Sequence, residues 1–140
     1  MSGAYSLSDY PIIENRPEDI VTPGGVRIED ITFENIERGA VSVYDCRTSK
    51  EGLLAQAAIA ELTGDRYIAG SLKRAAEMVD IDGDKIIEIY NALRPYRSSE
   101  EDLTGLAFEL RTKYGAEENA RFIEEATAAL KHRRKLRGNR

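Results

Sequence analysis

Three carboxylates stand close together in Asp80-Ile81-Asp82-Gly83-Asp84 and could hold a hard cation. A calcium loop of the EF-hand type needs Gly at its sixth position and Glu at its twelfth. Counted from Asp80, Gly83 is fourth and the twelfth residue is Asn91, so the spacing does not match. The simpler reading is that Asp82 and Asp84 cap and charge a helix N-terminus. His132 is the single histidine and has no Glu-x-x-His partner in the sequence. It stands among basic residues at a helix end, where a cation complements the dipole. Cys46 is the single cysteine, flanked by Asp45 and Arg47. Arg47 could lower its pKa, but no nucleophile motif surrounds it, and a small buried thiol is the commoner role. The sequence holds no glycine-rich phosphate loop, no G-x-S-x-G elbow and no C-x-x-C. The acidic clusters Glu100–Asp102, Glu117–Glu118 and Glu124–Glu125 fall at helix starts or on polar faces, where acids are expected in any case. No catalytic, cofactor or metal residue is assigned on these grounds.

Binding chemistry is better represented. Tyr90, Arg94, Tyr96 and Arg97 gather in the stretch Lys85–Ser99, KIIEIYNALRPYRSS. Ile86, Ile89, Tyr90 and Leu93 share one face of a helix by their i, i+3, i+4 and i+7 spacing. Pro95 ends that helix, because it lacks an N–H and pushes Arg94 out of α geometry. Ser98 and Ser99, ahead of Glu101 and Asp102, offer the cap of a second helix. The segment therefore reads as helix, corner, helix. Two readings of its polar residues are compatible. Tyr90 belongs to the core and the others brace the corner, or Tyr96 and Arg97 are interface anchors of the types enriched at binding hot spots.

The elements around the corner are helical. Residues 1–31 form an irregular arm, with a type II turn expected at Thr22-Pro23-Gly24-Gly25 between short extended pieces. Tyr5, Leu7, Tyr10, Ile12, Ile13, Ile20, Val21, Val26 and Ile28 are too apolar for a solvated tail. They need a surface, either the chain's own helices or a partner. The remainder, 32–140, reads as one helical domain. Helices are expected at about Phe33–Arg38, Ser49–Thr63 (with Thr48 and Glu51 as a capping box), Arg66–Val79, Gly83–Arg94, Glu100–Lys113 and Ala116–Leu136. Gly39, Gly64 and Gly115 close three of them. The expected apolar faces are Ala55, Ala58, Ile59 and Leu62; Leu72, Ala75, Ala76 and Val79; Leu103, Leu106, Ala107 and Leu110; and Phe122, Ile123, Ala126 and Leu130. The fold class is all-α, a small open helical bundle preceded by the arm.

A length of 140 residues suits a single domain. No apolar run approaches the roughly 20 residues that span a bilayer, and the first residues lack a signal-peptide pattern. One cysteine cannot form an internal disulfide, which fits a reducing cytoplasm. Net charge is −5, but residues 131–140 carry six cations and no acid, leaving −11 on the rest. An acidic body is a poor nucleic-acid binder. The basic end is either a nucleic-acid tail or a helix end whose charges meet the dipole or acid on a partner; the acidic body favours the second.

IYNALRPYRSS resembles the signature of the small (gamma) subunit of adenosylcobalamin-dependent glycerol and diol dehydratases. SDYPII at Ser8–Ile13, EDITFENIERG at Glu29–Gly39, KRAAEMV at Lys73–Val79, ARFIEEA at Ala120–Ala126 and RRKLRG at Arg133–Gly138 follow in that family's order. The resemblance covers nearly the whole chain. It departs at Thr48–Gly52, where relatives tend to have a proline-started helix and no glycine, and in lacking the long Ala/Gly-rich N-terminal extension of some diol dehydratase small subunits.

The resemblance implies an accessory subunit of a complex that converts 1,2-diols such as propane-1,2-diol and glycerol to aldehydes with loss of water. It implies adenosylcobalamin held by the complex and not by this chain, large (alpha) and medium (beta) subunit partners in a dimer of heterotrimers, and a cytoplasmic setting with a bacterial microcompartment as alternative housing. No nucleic acid and no membrane partner is expected. The residues expected to meet the large subunit are Tyr10, Ile12 and Ile13 in the arm and Arg94, Tyr96 and Arg97 at the corner. The rival reading is a free-standing helical adaptor that binds anions or nucleic acid through residues 131–140.

Overall fold

Seven α-helices and no named strand occur in the computed structural model, which describes residues 4–139. The all-α expectation holds. The helices are α1 (Ile12–Asn15), α2 (Phe33–Glu37), α3 (Lys50–Leu62), α4 (Arg66–Met78), α5 (Gly83–Ala92), α6 (Glu100–Lys113) and α7 (Glu117–His132). They fall into two units, Met1–Val79 and Asp80–Arg140.

The first unit is built on the pair α3 and α4, which pack along each other. Gly64, at φ 83°, supplies the left-handed residue that closes α3. The buried positions on the pair are mostly alanine, Ala55, Ala57, Ala69 and Ala76, with Ile59 as the one large buried side chain. This corrects the expected faces. Leu62 and Val79 are exposed, Leu72 and Ala75 only half-buried, and Ala57 and Ala69 take their places. Ala57 is two residues from both Ala55 and Ile59, on a different side of α3, so that helix is covered on more than one side and no single apolar stripe accounts for its burial. The N-cap of α3 is also one residue later than expected. Ser49 accepts from the Gly52 N–H at 3.0 Å, and a Cβ at position 52 would lie 2.9 Å from the Ser49 Oγ. Glycine at that point, the departure from the family pattern, leaves room for the cap.

The arm before α3 is a chain of short turns pinned by side chains. Arg16 lies 4.7 Å from the Tyr5 ring centroid and pairs with Asp19 at 2.7 Å. Val21 and Arg27 form a single antiparallel bridge, with the Thr22 N–H donating to the Val26 carbonyl at 2.9 Å. The turn between them is not type II. Its left-handed residue is Gly25, at φ 84°, and not Gly24, as in a three-residue hairpin loop closed by glycine. The cause lies some twenty residues on. The carboxylate of Asp45, which is buried, accepts from Thr22 Oγ1 at 2.6 Å and from the Ser42 N–H and Oγ, each at 2.8 Å. These hydrogen bonds, Thr22 first, hold its carboxyl below the usual carboxylate range. A Cβ on Gly24 would lie 2.1 Å from the Asp45 Oδ1, so the hairpin tip rests on this carboxylate. The same turn, Val43–Cys46, that aims Asp45 inward leaves Cys46 exposed, contrary to the buried thiol expected. Arg47 stacks over Tyr44 at 5.3 Å.

The second unit is built on α6 and α7. The face expected on α6 is the one buried: Leu103, Leu106, Ala107 and Leu110. Ser99 and Asp102 form the reciprocal capping box, Asp102 N–H to Ser99 Oγ at 3.1 Å and Ser99 N–H to Asp102 Oδ2 at 2.8 Å. On α7 the buried face is Ala120, Ile123 and Thr127, continued from Ala116. Phe122 is exposed, and Ala126 and Leu130 are half-buried. The helix is rotated from the expectation because Thr127 can go inside: its Oγ1 donates to the Ile123 carbonyl at 2.7 Å and needs no water. Arg111 on α6 ties the two helices, at 2.7 Å to Glu117 and 2.9 Å to Glu124. Lys85 of α5 reaches Glu109 of α6 at 2.6 Å. Burial works to lower the Lys85 pKa, but the hydrogen bonds its ammonium donates to Glu109 and Glu88 outweigh it and the pKa ends raised.

Candidate functional site

The corner after α5 differs from its sequence expectation in what holds it. The helix stops at Ala92, and Pro95 follows within an irregular turn. Tyr96 takes a left-handed conformation, φ 65°, which non-glycine residues rarely adopt. Its N–H donates to the Lys135 carbonyl at 2.6 Å. In return Lys135 Nζ donates to the Tyr96 hydroxyl at 2.8 Å and sits 4.9 Å from the ring centroid. The buried Ser98 donates to the Ala92 carbonyl at 2.9 Å, and its own carbonyl accepts from the Arg137 N–H at 2.9 Å. The C-terminal residues thus form the other half of the corner.

Those residues were expected to prolong α7 to Leu136. The helix ends at His132 instead. Arg134 takes a left-handed conformation, φ 55°, and the Lys135 N–H returns to the Leu130 carbonyl at 2.8 Å. The chain then doubles back, burying Leu136. Lys131 pairs with Glu100 at 2.8 Å, and Arg137 with Asp102 at 2.8 Å. The basic end therefore meets acids at the start of its own α6, an option the sequence alone did not suggest. The Asp102 carboxyl is held below its usual range, chiefly by the Ser99 N–H and hydroxyl and further by Arg137.

Arg94, Pro95, Tyr96, Arg97, Arg137 and Gly138 line a cleft of about 510 Å³. Arg94 and Arg97 are exposed, and neither makes an ion pair with a described residue. Tyr96 is half-buried. Tyr90 is not part of the cleft and is not core: it is 68% exposed. Ile86, Ile89 and Leu93 beside it are only half-buried, because α5 has no fully buried residue. Arg137 and Lys135 were missed as site residues. The available signal was the loss of apolar periodicity after Leu130, followed by Gly138.

The other expected contact residues lie in the first unit. Tyr10 is 65% and Ile13 53% exposed, while Ile12 is half-buried. All three line an open, largely aliphatic groove of about 720 Å³, whose opposite wall includes Ala55, Ile59 and Leu72 of α3 and α4. The arm uses the chain's own helices as one surface and still leaves apolar side chains facing solvent. A third cavity, of about 480 Å³, involves Asp82, Asp84, Lys85 and Glu88. Asp82 occupies the N-cap position of α5 without a side-chain capping bond, so its contribution there is charge alone.

A family model described as the dehydratase small subunit matches residues 5–137. The chain belongs to the dehydratase small-subunit family. It is 39% identical over 138 residues to the propanediol dehydratase small subunit of Salmonella typhimurium, covering 99% of this chain and 80% of that protein. It is 39% identical over 133 residues to the propanediol dehydratase small subunit of Citrobacter freundii, covering 95% of this chain and 77% of the relative. A dehydratase small subunit is one part of an assembly, and its exposed side chains are read accordingly. His132 is exposed at the end of α7 and lines none of the three cavities. None of these three cavities has an imidazole in its lining. Among the described residues no helix is long and apolar enough to cross a membrane.

Proposed function

We propose that this chain is the accessory small subunit of an adenosylcobalamin-dependent diol dehydratase, which removes water from propane-1,2-diol or glycerol to give the aldehyde. The observation that carries the reading is 39% identity along nearly the whole of this chain to two propanediol dehydratase small subunits. The large subunit houses the substrate, and the complex as a whole holds the cofactor. This chain binds the large subunit within a dimer of heterotrimers and supports its shape. Tyr10, Ile12 and Ile13 contribute apolar contact, and Arg94, Tyr96 and Arg97 contribute anchors of the types that dominate interface energetics. The setting is the cytoplasm or a bacterial microcompartment. The rival adaptor reading is disfavoured because Lys131 and Lys135 of the basic end already have partners within the chain.

The test is co-expression with large and medium dehydratase subunits. The three should co-purify, and aldehyde formation from propane-1,2-diol should depend on the small subunit. The isolated chain should show no turnover and no calorimetric isotherm with adenosylcobalamin. Turnover by the isolated chain, or an active large–medium complex unaffected by its absence, overturns the proposal.

A further inference from the structure

We propose that Arg94, Arg97 and Arg137 form a receptor for a carboxylate-bearing segment of the large dehydratase subunit, with the returning C-terminal segment supplying the third guanidinium. The inference rests on the accessory-subunit reading and adds to it the chemistry of the contact. Three observations carry it. First, the cleft lining holds three guanidinium groups and no acid. Arg94 and Arg97 are in no ion pair with a described residue, and Arg137 gives one donor to Asp102 while still lining the cleft. Second, the corner is held in a costly shape. A left-handed tyrosine persists only where its surroundings over-determine it, and such residues collect at binding sites. Here the surroundings are the Lys135 carbonyl, the Lys135 ammonium and the Arg137–Ser98 backbone bond.

Third, the donors that remain match a carboxylate better than a phosphate. Phosphate sites draw on free backbone N–H groups at nests and helix N-termini. At this corner three backbone donors are spent within the chain: Tyr96 on Lys135, Arg97 on Arg94 at 3.3 Å, and Arg137 on Ser98. What stays available is guanidinium forks, whose planar paired N–H groups fit the two oxygens of a carboxylate. The tail is thereby assigned a second duty. By folding back it brings Arg137 beside Arg94 and Arg97 and fixes Tyr96 between them in sequence.

The test uses the full chain and the co-expressed large–medium complex. Arg94→Gln, Arg97→Gln and Arg137→Gln should each weaken binding to that complex by about tenfold or more and flatten its dependence on salt. Arg97→Lys, which keeps the charge and loses the fork, should restore only part of the affinity. In the free chain, succinate should shift the Nε–H resonances of the three arginines. Helical circular dichroism of each variant should match wild type, since none of these side chains is core. Wild-type affinity in all three Gln variants overturns the receptor. So does a response to inorganic phosphate with none to succinate. Failure of the wild-type chain to bind the dehydratase subunits sinks the functional reading, and the owner of the carboxylate with it; the succinate titration is independent of that outcome.

Discussion

Leu110 and Leu93 test the account of where the second unit's stability lies. Both are leucines on the apolar faces that periodicity picks out. Leu110 is fully buried between α6 and α7, whereas Leu93 is half-buried at the end of α5. Leu→Ala removes the equivalent of about three buried methylene groups, or ~2.4 kcal/mol of transfer free energy when burial is complete. A closed site adds a cavity term, which brings Leu110→Ala to about 3–4 kcal/mol. At Leu93 the transfer loss is roughly halved and water can enter the vacated space, so the cost is about 1 kcal/mol. The chain has no tryptophan, so urea unfolding is followed by circular dichroism at the helical band. With a slope of about 2 kcal/mol per molar, Leu110→Ala should lower the midpoint by roughly 1.5–2 M and Leu93→Ala by about 0.5 M. Equal shifts in the two variants would refute the reasoning. They would mean that α5 is as much part of the core as the α6–α7 pair.

Three further outcomes follow from local geometry. Gly24→Ala should lower the melting temperature by several degrees, because its Cβ would meet the Asp45 Oδ1 at 2.1 Å and drive that carboxylate off Thr22 or lift the hairpin; differential scanning calorimetry on the full chain reads it. Ser99→Ala should cost about 1 kcal/mol by urea titration, the usual loss of an N-cap whose side chain accepts from the helix. Asp45 and Asp102 both have carboxyl pKa values lowered in the folded chain, mainly by hydrogen bonds from Thr22 and from Ser99 respectively. Their contribution is therefore complete above the unfolded value near 4 and is lost as pH falls through the folded value. Melting temperature should hold from pH 7 to about 5 and drop below 4, with Asp45→Asn flattening the acid side of that curve.

The elements that could be read from sequence are those whose cause is local. A capping box, a left-handed glycine and a proline each act within a few residues, so α6 and the closing Gly64 and Gly115 were legible without any partner. The face of α6 was legible too, since leucines at i, i+3 and i+7 have one way to be buried together. The features that were not legible depend on what lies across the gap. Alanine and leucine both satisfy an apolar pattern, and only the packing of the folded unit buried Ala57 and Ala69 and left Leu62 outside. Thr127 counts as polar in any pattern, yet it is buried because its own helix accepts its hydroxyl. The hairpin glycine was misplaced by one residue because Asp45, distant in sequence, holds the tip.

The corner divides the same way. Pro95 and the Ser99 cap, visible in the chain, determine that a bend occurs between two helices. Its conformation, and the cleft of arginines beside it, come from a segment some forty residues later. The residues of that segment spell an ordinary basic helix end. After the left-handed turn at Arg134, Lys135 on Tyr96 and Arg137 on Ser98 are contacts between positions far apart in sequence, and only the folded chain brings them within hydrogen-bonding distance.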